Sequence, residues 1–511
     1  MRAALRVIQL GALAVVLAVT TFFSFELDRF FIPKELVLHA TAVLAALLAF
    51  GTLREATTTT VDRLLAFYVA LGALSAALAT NRWLGMRALA ISASGVLLFW
   101  VARRLREQGH ARAVVAGLAV AVVAVAITSL LQTYGLETTL FSENRIPGGT
   151  LGNRNFVAHV AAFGLPLVLL AALGAQRRFF LGATGAALVT ASLVLTRSRA
   201  AWLAFAAVVV VFLAAMLASP PLRRDGRTWR RLFTVIVFVA AGVAAALLLP
   251  NALRWKSRNP YMQTVQHVTD YERGSGRGRL VQYEQTLLMA LHHPLLGVGP
   301  GNWAVRYPEH AARHDPSLSD GDPGMTTNPW PSSDWIAWIA ERGPLAVALL
   351  ALAFLGIAAS GARQLVAAPD AGDALAAAAL LAIVAGAIVT GLFDAVLLLA
   401  LPSFLVWTAL GALSSPPPKH RPLPALAVIA ILLLSAGGAA RSVAQLAVMH
   451  IYETHGDRAS LTTAAHLDPG NYRLQLRLAR MGGHARCQHA RAARALFPNA
   501  GAAAQLVRGC R

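Results

Sequence analysis

The sequence has little cysteine. Cys487 and Cys510 are its only two in 511 residues, too few for a disulfide scaffold and without the spacing of metal ligands. It has little charge, 14% of residues, and little acid: 24 Asp+Glu stand against 45 Lys+Arg, for a formal net charge of +21. With 57% of residues hydrophobic, that balance excludes a disordered chain and an ordinary soluble enzyme. Soluble-enzyme motifs are missing too, with no H-E-x-x-H, no G-x-x-x-x-G-K and no G-x-S-x-G. Gly274-Ser275-Gly276-Arg277-Gly278 and Gly297-Val298-Gly299-Pro300-Gly301 miss the G-x-G-x-x-G pattern and read as turns. No metal site and no cofactor are predicted, so energy for any reaction has to arrive in an activated substrate.

What the sequence does have is long apolar runs. A spanning helix needs about 20 mostly apolar residues because lipid offers backbone N–H and C=O groups no partner. About thirteen runs qualify, at 6–24, 35–53, 63–80, 86–102, 113–133, 156–174, 179–196, 200–218, 232–250, 335–359, 374–392, 395–413 and 424–448. The pair flanking Asp394 also reads as one broken hairpin. This pattern predicts an all-α, polytopic membrane helical bundle of about 12–13 spans. Short basic loops at 103–112, 177–178, 223–231 and 419–421, with Arg2 and Arg6, mark the cytoplasmic side. The stretch Thr20 to Phe30 lacks a small-residue cleavage site, so the first span is expected to stay as an anchor.

The chain thus divides into N-terminal spans at 1–250, a large outer loop at 251–334, C-terminal spans at 335–448 and a polar tail at 449–511. Arginines clustered between apolar runs suit a membrane protein rather than a nucleic-acid binder. The large loop is basic on the side where little positive charge is expected, through Arg254, Lys256, Arg258, Arg273, Arg277, Arg279, Arg306 and Arg313. Two readings account for this: a long translocated loop exempt from the charge rule, or an anionic ligand at the outer membrane–water boundary.

Arg279-Leu280-Val281-Gln282-Tyr283, followed by His293-Pro294-Leu295-Leu296-Gly297-Val298-Gly299-Pro300-Gly301-Asn302-Trp303, resembles the R-x-x-x-W and hPllGvGpGnf signature of the O-antigen ligase and polymerase superfamily. Gly149-Thr150-Leu151-Gly152-Asn153-Arg154-Asn155-Phe156, Leu195-Thr196-Arg197-Ser198-Arg199-Ala200, Ala340-Glu341-Arg342-Gly343 and Leu392-Phe393-Asp394 resemble further family segments in the same order. The resemblance spans roughly 30–415. It implies a GT-C-like membrane glycosyltransferase in the bacterial inner membrane, metal-independent and inverting. The implied donor is a polyprenyl (undecaprenyl) diphosphate-linked glycan, transferred on the periplasmic side to lipid A core, another glycan or a protein hydroxyl. A lipid-linked glycan transporter and a non-catalytic assembly protein are the alternatives from other classes, although no internal repeat supports the transporter.

A diphosphate leaving group gathers negative charge as the glycosidic bond breaks, and guanidinium forks pair with phosphate while staying charged. Arg197, Arg199 and Arg279, with Arg277 in reserve, are the expected diphosphate clamp. Lipid snorkelling for the first two, and an ion pair with Glu284 or Asp270 for Arg279, are the structural alternatives. Asn153, Asn155 and Asn302 are expected at the glycan or acceptor. Where the family has histidine, this chain has Ser332, followed by Ser333, and serine is no proton acceptor. Asp334, Glu341 and Asp394 are the expected replacements, with His310 and His314 as loop alternatives.

In the tail, Ala464-Ala465-His466-Leu467-Asp468-Pro469-Gly470-Asn471-Tyr472 and Ala495-Leu496-Phe497-Pro498-Asn499-Ala500 resemble ends of tetratricopeptide repeats. About one and a half repeats fit, which suggests docking on the large loop or on a protein partner. Cys487 and Cys510 then fall at neighbouring ends of an antiparallel hairpin, where an oxidising compartment permits a disulfide.

Overall fold

The computed structural model describes residues 1–54, 58–174, 178–255, 257, 259–266, 274–312, 315–415 and 424–510. Of the residues singled out above, Arg177, Lys256, Arg258, Asp270, Arg273, Arg313, His314, Lys419 and Arg421 lie outside that set. The helices in chain order are α1 Arg2–Leu17, α2 Asp28–Arg54, α3 Thr60–Leu78, α4 Arg82–Glu107, α5 Ala111–Thr133, α6 Arg154–Gly174, α7 Phe179–Thr196, α8 Arg199–Ala218, α9 Pro220–Arg224 and α10 Gly226–Leu248. There follow α11 Pro260–Gln266, α12 Gly274–His292, α13 Trp303–Arg306, α14 Asp334–Ala367, α15 Ala371–Phe393, α16 Ala400–Leu413 and α17 Ala425–Thr454. The tail holds α18 Arg458–Leu467, α19 Tyr472–Arg480, α20 Arg486–Leu496 and α21 Gly501–Arg508. Among the described residues the one β pairing is an isolated bridge between Leu318 and Thr326.

The protein is a polytopic helical bundle, with 11 helices among the described residues long and apolar enough to cross a membrane. That corrects the count of thirteen. The run at 6–24 yields only the 16-residue α1, which stops at Leu17; Ala18 turns extended, and Lys34 Nζ donates to its carbonyl at 2.6 Å. The run at 395–413 yields the 14-residue α16, because residues 394–399 leave the helix to bond with a carboxylate described below. The late hairpin is indeed broken at Asp394. Of the spans, α6 is the most enclosed by protein, 89% of its apolar window being buried, and α10 the least, at 17%. The walls of the bundle meet closely where glycine allows it: a Cβ on Gly411 would lie 2.2 Å from the Phe99 carbonyl oxygen.

The connections sort to the two ends of the bundle. At one end the large loop is tied to the 133–134 corner by Ala252 N–H to the Thr133 carbonyl (2.8 Å), and to the α7–α8 turn by Arg197 Nε to Thr264 Oγ1 (3.0 Å). The tail is tied there too: Gly501 N–H donates to the Pro323 carbonyl (2.7 Å), and Asn499 Nδ2 to the Val305 carbonyl (3.1 Å). Tyr472, Leu476, Ala493 and Leu496 form a small core against which Met325 of the loop packs. Cys487 and Cys510 are joined in a disulfide, with Cα atoms 5.6 Å apart.

Candidate functional site

Pro344 has no N–H, so the Ala340 carbonyl one turn earlier loses its helical donor. Gly343 deepens the break, with φ 80° and ψ 161° inside α14. The large loop fills the gap. Val298 N–H donates to the Ala340 carbonyl and Gly299 N–H to that of Glu341, both at 2.9 Å. The contact is backbone on backbone: a Cβ on Gly343 would lie 2.2 Å from the Leu295 carbonyl oxygen, and one on Gly297 2.4 Å from that of Ala340. The glycine-rich turn at 297–301 and the kink at 343–344 are therefore two halves of one joint.

Two expected site residues belong to this joint. Glu341 is buried, and its Oε1 accepts the Trp303 N–H at 3.1 Å, holding the start of α13. Asn302 is buried as well; it exchanges bonds with the Asn81 backbone (2.7 and 3.0 Å) and donates to the Pro300 carbonyl (3.0 Å). Its polar atoms are thus turned to protein. Asp334 is likewise a staple. It is fully buried, Oδ1 accepting the N–H groups of Val396 (2.9 Å) and Leu398 (3.2 Å) and Oδ2 that of Leu397 (2.8 Å). Those bonds hold the segment that carries Asp394.

Arg279 and Tyr283 are four residues apart on α12 and share one face. The Tyr283 hydroxyl lies within hydrogen-bonding distance of the Ser332 (2.5 Å) and Leu392 (3.0 Å) carbonyls. Gln282 Oε1 accepts the Ser332 N–H at 2.6 Å, and Ser333 Oγ donates to the Gly391 carbonyl at 2.9 Å while capping α14. Ser332 therefore stands at the mouth of the broken hairpin. Arg277, on another face of α12, is exposed.

Asp394 is the least buried carboxylate of the group, its side chain 13% exposed. Its Oδ1 accepts the Ala395 N–H (2.9 Å), while Oδ2 lies 3.5 Å from Asn155 Nδ2 and 3.9 Å from His159 Nε2. Arg279 acts electrostatically on the same histidine. One residue before Asn155, the Arg154 guanidinium lies over the Trp255 indole at 5.1 Å, and Arg197 lies over that ring at 4.7 Å. Arg145 and Arg197 both act on Arg154. Arg197 caps α7 in the left-handed region (φ 55°), and burial lowers its guanidinium pKa from the ordinary value, opposed by Tyr261. An anion arriving here meets cations already partly stripped of water. Arg199, the first residue of α8, is half-buried at the edge of this turn. Asn153 is buried and accepts the Asn155 N–H at 3.0 Å, starting α6.

Residues 184–351 match the O-antigen ligase family. The O-antigen ligase region runs from α7 to the first turns of α14 after its kink and contains Arg197, Arg199, Arg277, Arg279, Ser332, Asp334 and Glu341. Asn155, His159 and Asp394 come to it from outside the matched region. None of the curated proteins matches the chain. The match covers about a third of the chain; with the bundle it describes a multi-pass membrane protein that carries a region similar to the O-antigen ligases, a likeness that supports a membrane glycosyltransferase in general.

Arg154 and His159 were not among the expected site residues. Arg154 stands inside the quoted Gly149–Phe156 motif, and His159 is an ionisable residue within an apolar run, itself a functional signal. His310 sits beside His292 in the large loop, with ring centroids 5.2 Å apart, in a group separate from Asp394.

Proposed function

We propose that the chain transfers a glycan from a polyprenyl-diphosphate donor to an acceptor hydroxyl, in the manner of an O-antigen ligase. The observation that carries this reading is that Arg154 and Arg197 share the Trp255 ring, Asn155, next to Arg154, reaches toward the Asp394 carboxylate, and Arg279 acts on the histidine beside that carboxylate, at one end of an apolar bundle. Guanidinium groups held in place before reaction stabilise the charge that grows on the departing diphosphate, more in the transition state than in the ground state. They supply that charge without metal or nucleotide. Asp394 is the group placed to take the acceptor's proton, and direct attack on the anomeric carbon inverts its configuration. The basic turns at the far end of the bundle favour a cytoplasmic position for that end, which sets the site and the tail toward the periplasm.

The test is incorporation, in proteoliposomes, of a labelled glycan supplied on polyprenyl diphosphate, with products separated into lipid, glycan and protein fractions. Label in lipid A marks a ligase, a glycan ladder a polymerase, and labelled protein an oligosaccharyltransferase. Arg197→Ala and Arg279→Ala are each expected to cut turnover by about 10²-fold or more, the scale of losing one preorganised charge donor. Full activity in both variants, or no transfer by the wild-type chain to any acceptor, overturns the reading.

A further inference from the structure

His159 is fully buried near the start of α6, and neither ring nitrogen has a hydrogen-bond partner among the described residues. Leaving a buried polar atom unpaired costs about 1–3 kcal/mol, and folded proteins rarely tolerate it without a reason. The reason lies beside it. Asp394 Oδ2, at 3.9 Å from Nε2, is too far for a hydrogen bond yet near enough that a modest turn of the carboxylate would make one. That oxygen is the loosely held one, since Oδ1 is engaged by the Ala395 N–H at 2.9 Å while Oδ2 has only Asn155 at 3.5 Å. Catalytic hydrogen bonds that are long in the free protein commonly tighten when substrate binds.

We propose that His159 is the positioning partner of Asp394 and holds the proton released during transfer, standing in for the side chain that Ser332 lacks. The inference rests on the transferase reading above. The acceptor oxygen bonds to the anomeric carbon as the bond from that carbon to the diphosphate oxygen breaks, its electron pair leaving with the diphosphate. The acceptor's proton passes to Asp394 Oδ2 and from there to Nε2 of His159. Asp394 becomes a carboxylate again and pairs with the new imidazolium, so neither charge is buried alone. The proton returns to water through Asp394, the more accessible of the two side chains, as product leaves.

The experiment uses the full chain in proteoliposomes, labelled polyprenyl-diphosphate glycan as donor and the acceptor that the wild-type chain uses. For His159→Gln, kcat is expected to fall by about 10²-fold with donor KM unchanged. The double variant with Asp394→Asn should be no slower than Asp394→Asn alone, because both residues serve one path. His159→Ala, which opens a hole of imidazole size, should regain activity when imidazole is added, a rescue that a merely structural histidine would not show. His159→Gln at the wild-type rate overturns the inference, as do losses that multiply in the double variant without imidazole rescue, and the transferase reading survives either result. A wild-type chain that binds donor but transfers nothing removes both. If His159→Gln does not insert, the imidazole arm decides.

Discussion

Asp334→Asn separates a staple from a reacting group. In the wild-type chain one buried carboxylate serves three backbone donors, Val396 and Leu398 on Oδ1 and Leu397 on Oδ2. An asparagine keeps one oxygen. Placed at Oδ1 it retains two bonds, but its NH2 then faces the Leu397 N–H across 2.8 Å, donor against donor. The loss is one charge-assisted bond, about 1.5–3 kcal/mol, plus a buried donor left unpaired, about 1–3 kcal/mol, so about 2.5–6 kcal/mol together. Hydrogen exchange reads this locally: the Val396, Leu397 and Leu398 amides should exchange about 10²- to 10⁴-fold faster, with transfer reduced because Asp394 sits on the loosened segment. Wild-type exchange at those amides with turnover abolished would refute the reasoning and make Asp334 a reacting residue.

Gly343→Ala sets a Cβ 2.2 Å from the Leu295 carbonyl in a backbone region that only glycine enters readily, a strain of about 1–3 kcal/mol; cleavage within 295–301 by added protease should quicken, and an unchanged digest would count against the joint. Burial is the main cause lowering the His293 and His310 pKa values, with Arg306 adding to it for His293 and His292 for His310. Their folded values lie below the unfolded one, so the contribution to stability is whole above about pH 6.5 and is lost as pH falls from there through the folded values. Hydrogen exchange around Tyr307 should speed up on acidification, and a flat profile from pH 7.5 to 5 would contradict this.

The spans were legible because lipid imposes length and apolarity together, and each of the thirteen runs falls on a helix. The two that came up short did so for reasons outside their own sequence: Lys34 serves the end of α1, and Asp334 opens the chain before α16. The glycine-rich turn was legible as a turn, but its role depends on carbonyls freed by Pro344, some 40 residues later, a pairing that no local pattern carries. Three acids stood as equals in the sequence; the fold separates Asp394, whose Oδ2 has only Asn155 at 3.5 Å, from Asp334 and Glu341, each buried and turned onto backbone N–H groups. His159 was within reach, since an imidazole in an apolar run calls for a partner, but counting the run for length passes over it.

The bond from Gly501 to Pro323, and that from Asn499 to Val305, set an order of events in the life of the molecule. The large loop is synthesised just before α14, whose kink seats it, and well before α21, whose first residue bonds to its edge. Until α14 is made, the turn at 297–301 lacks its backbone partners, and until α21 is made, Pro323 lacks its own. A product cut before α14 would reach the membrane with its early spans in place and Asp394 absent, while one cut after α17 would keep the joint at 343–344 but leave Pro323 and Val305 without their partners from the tail.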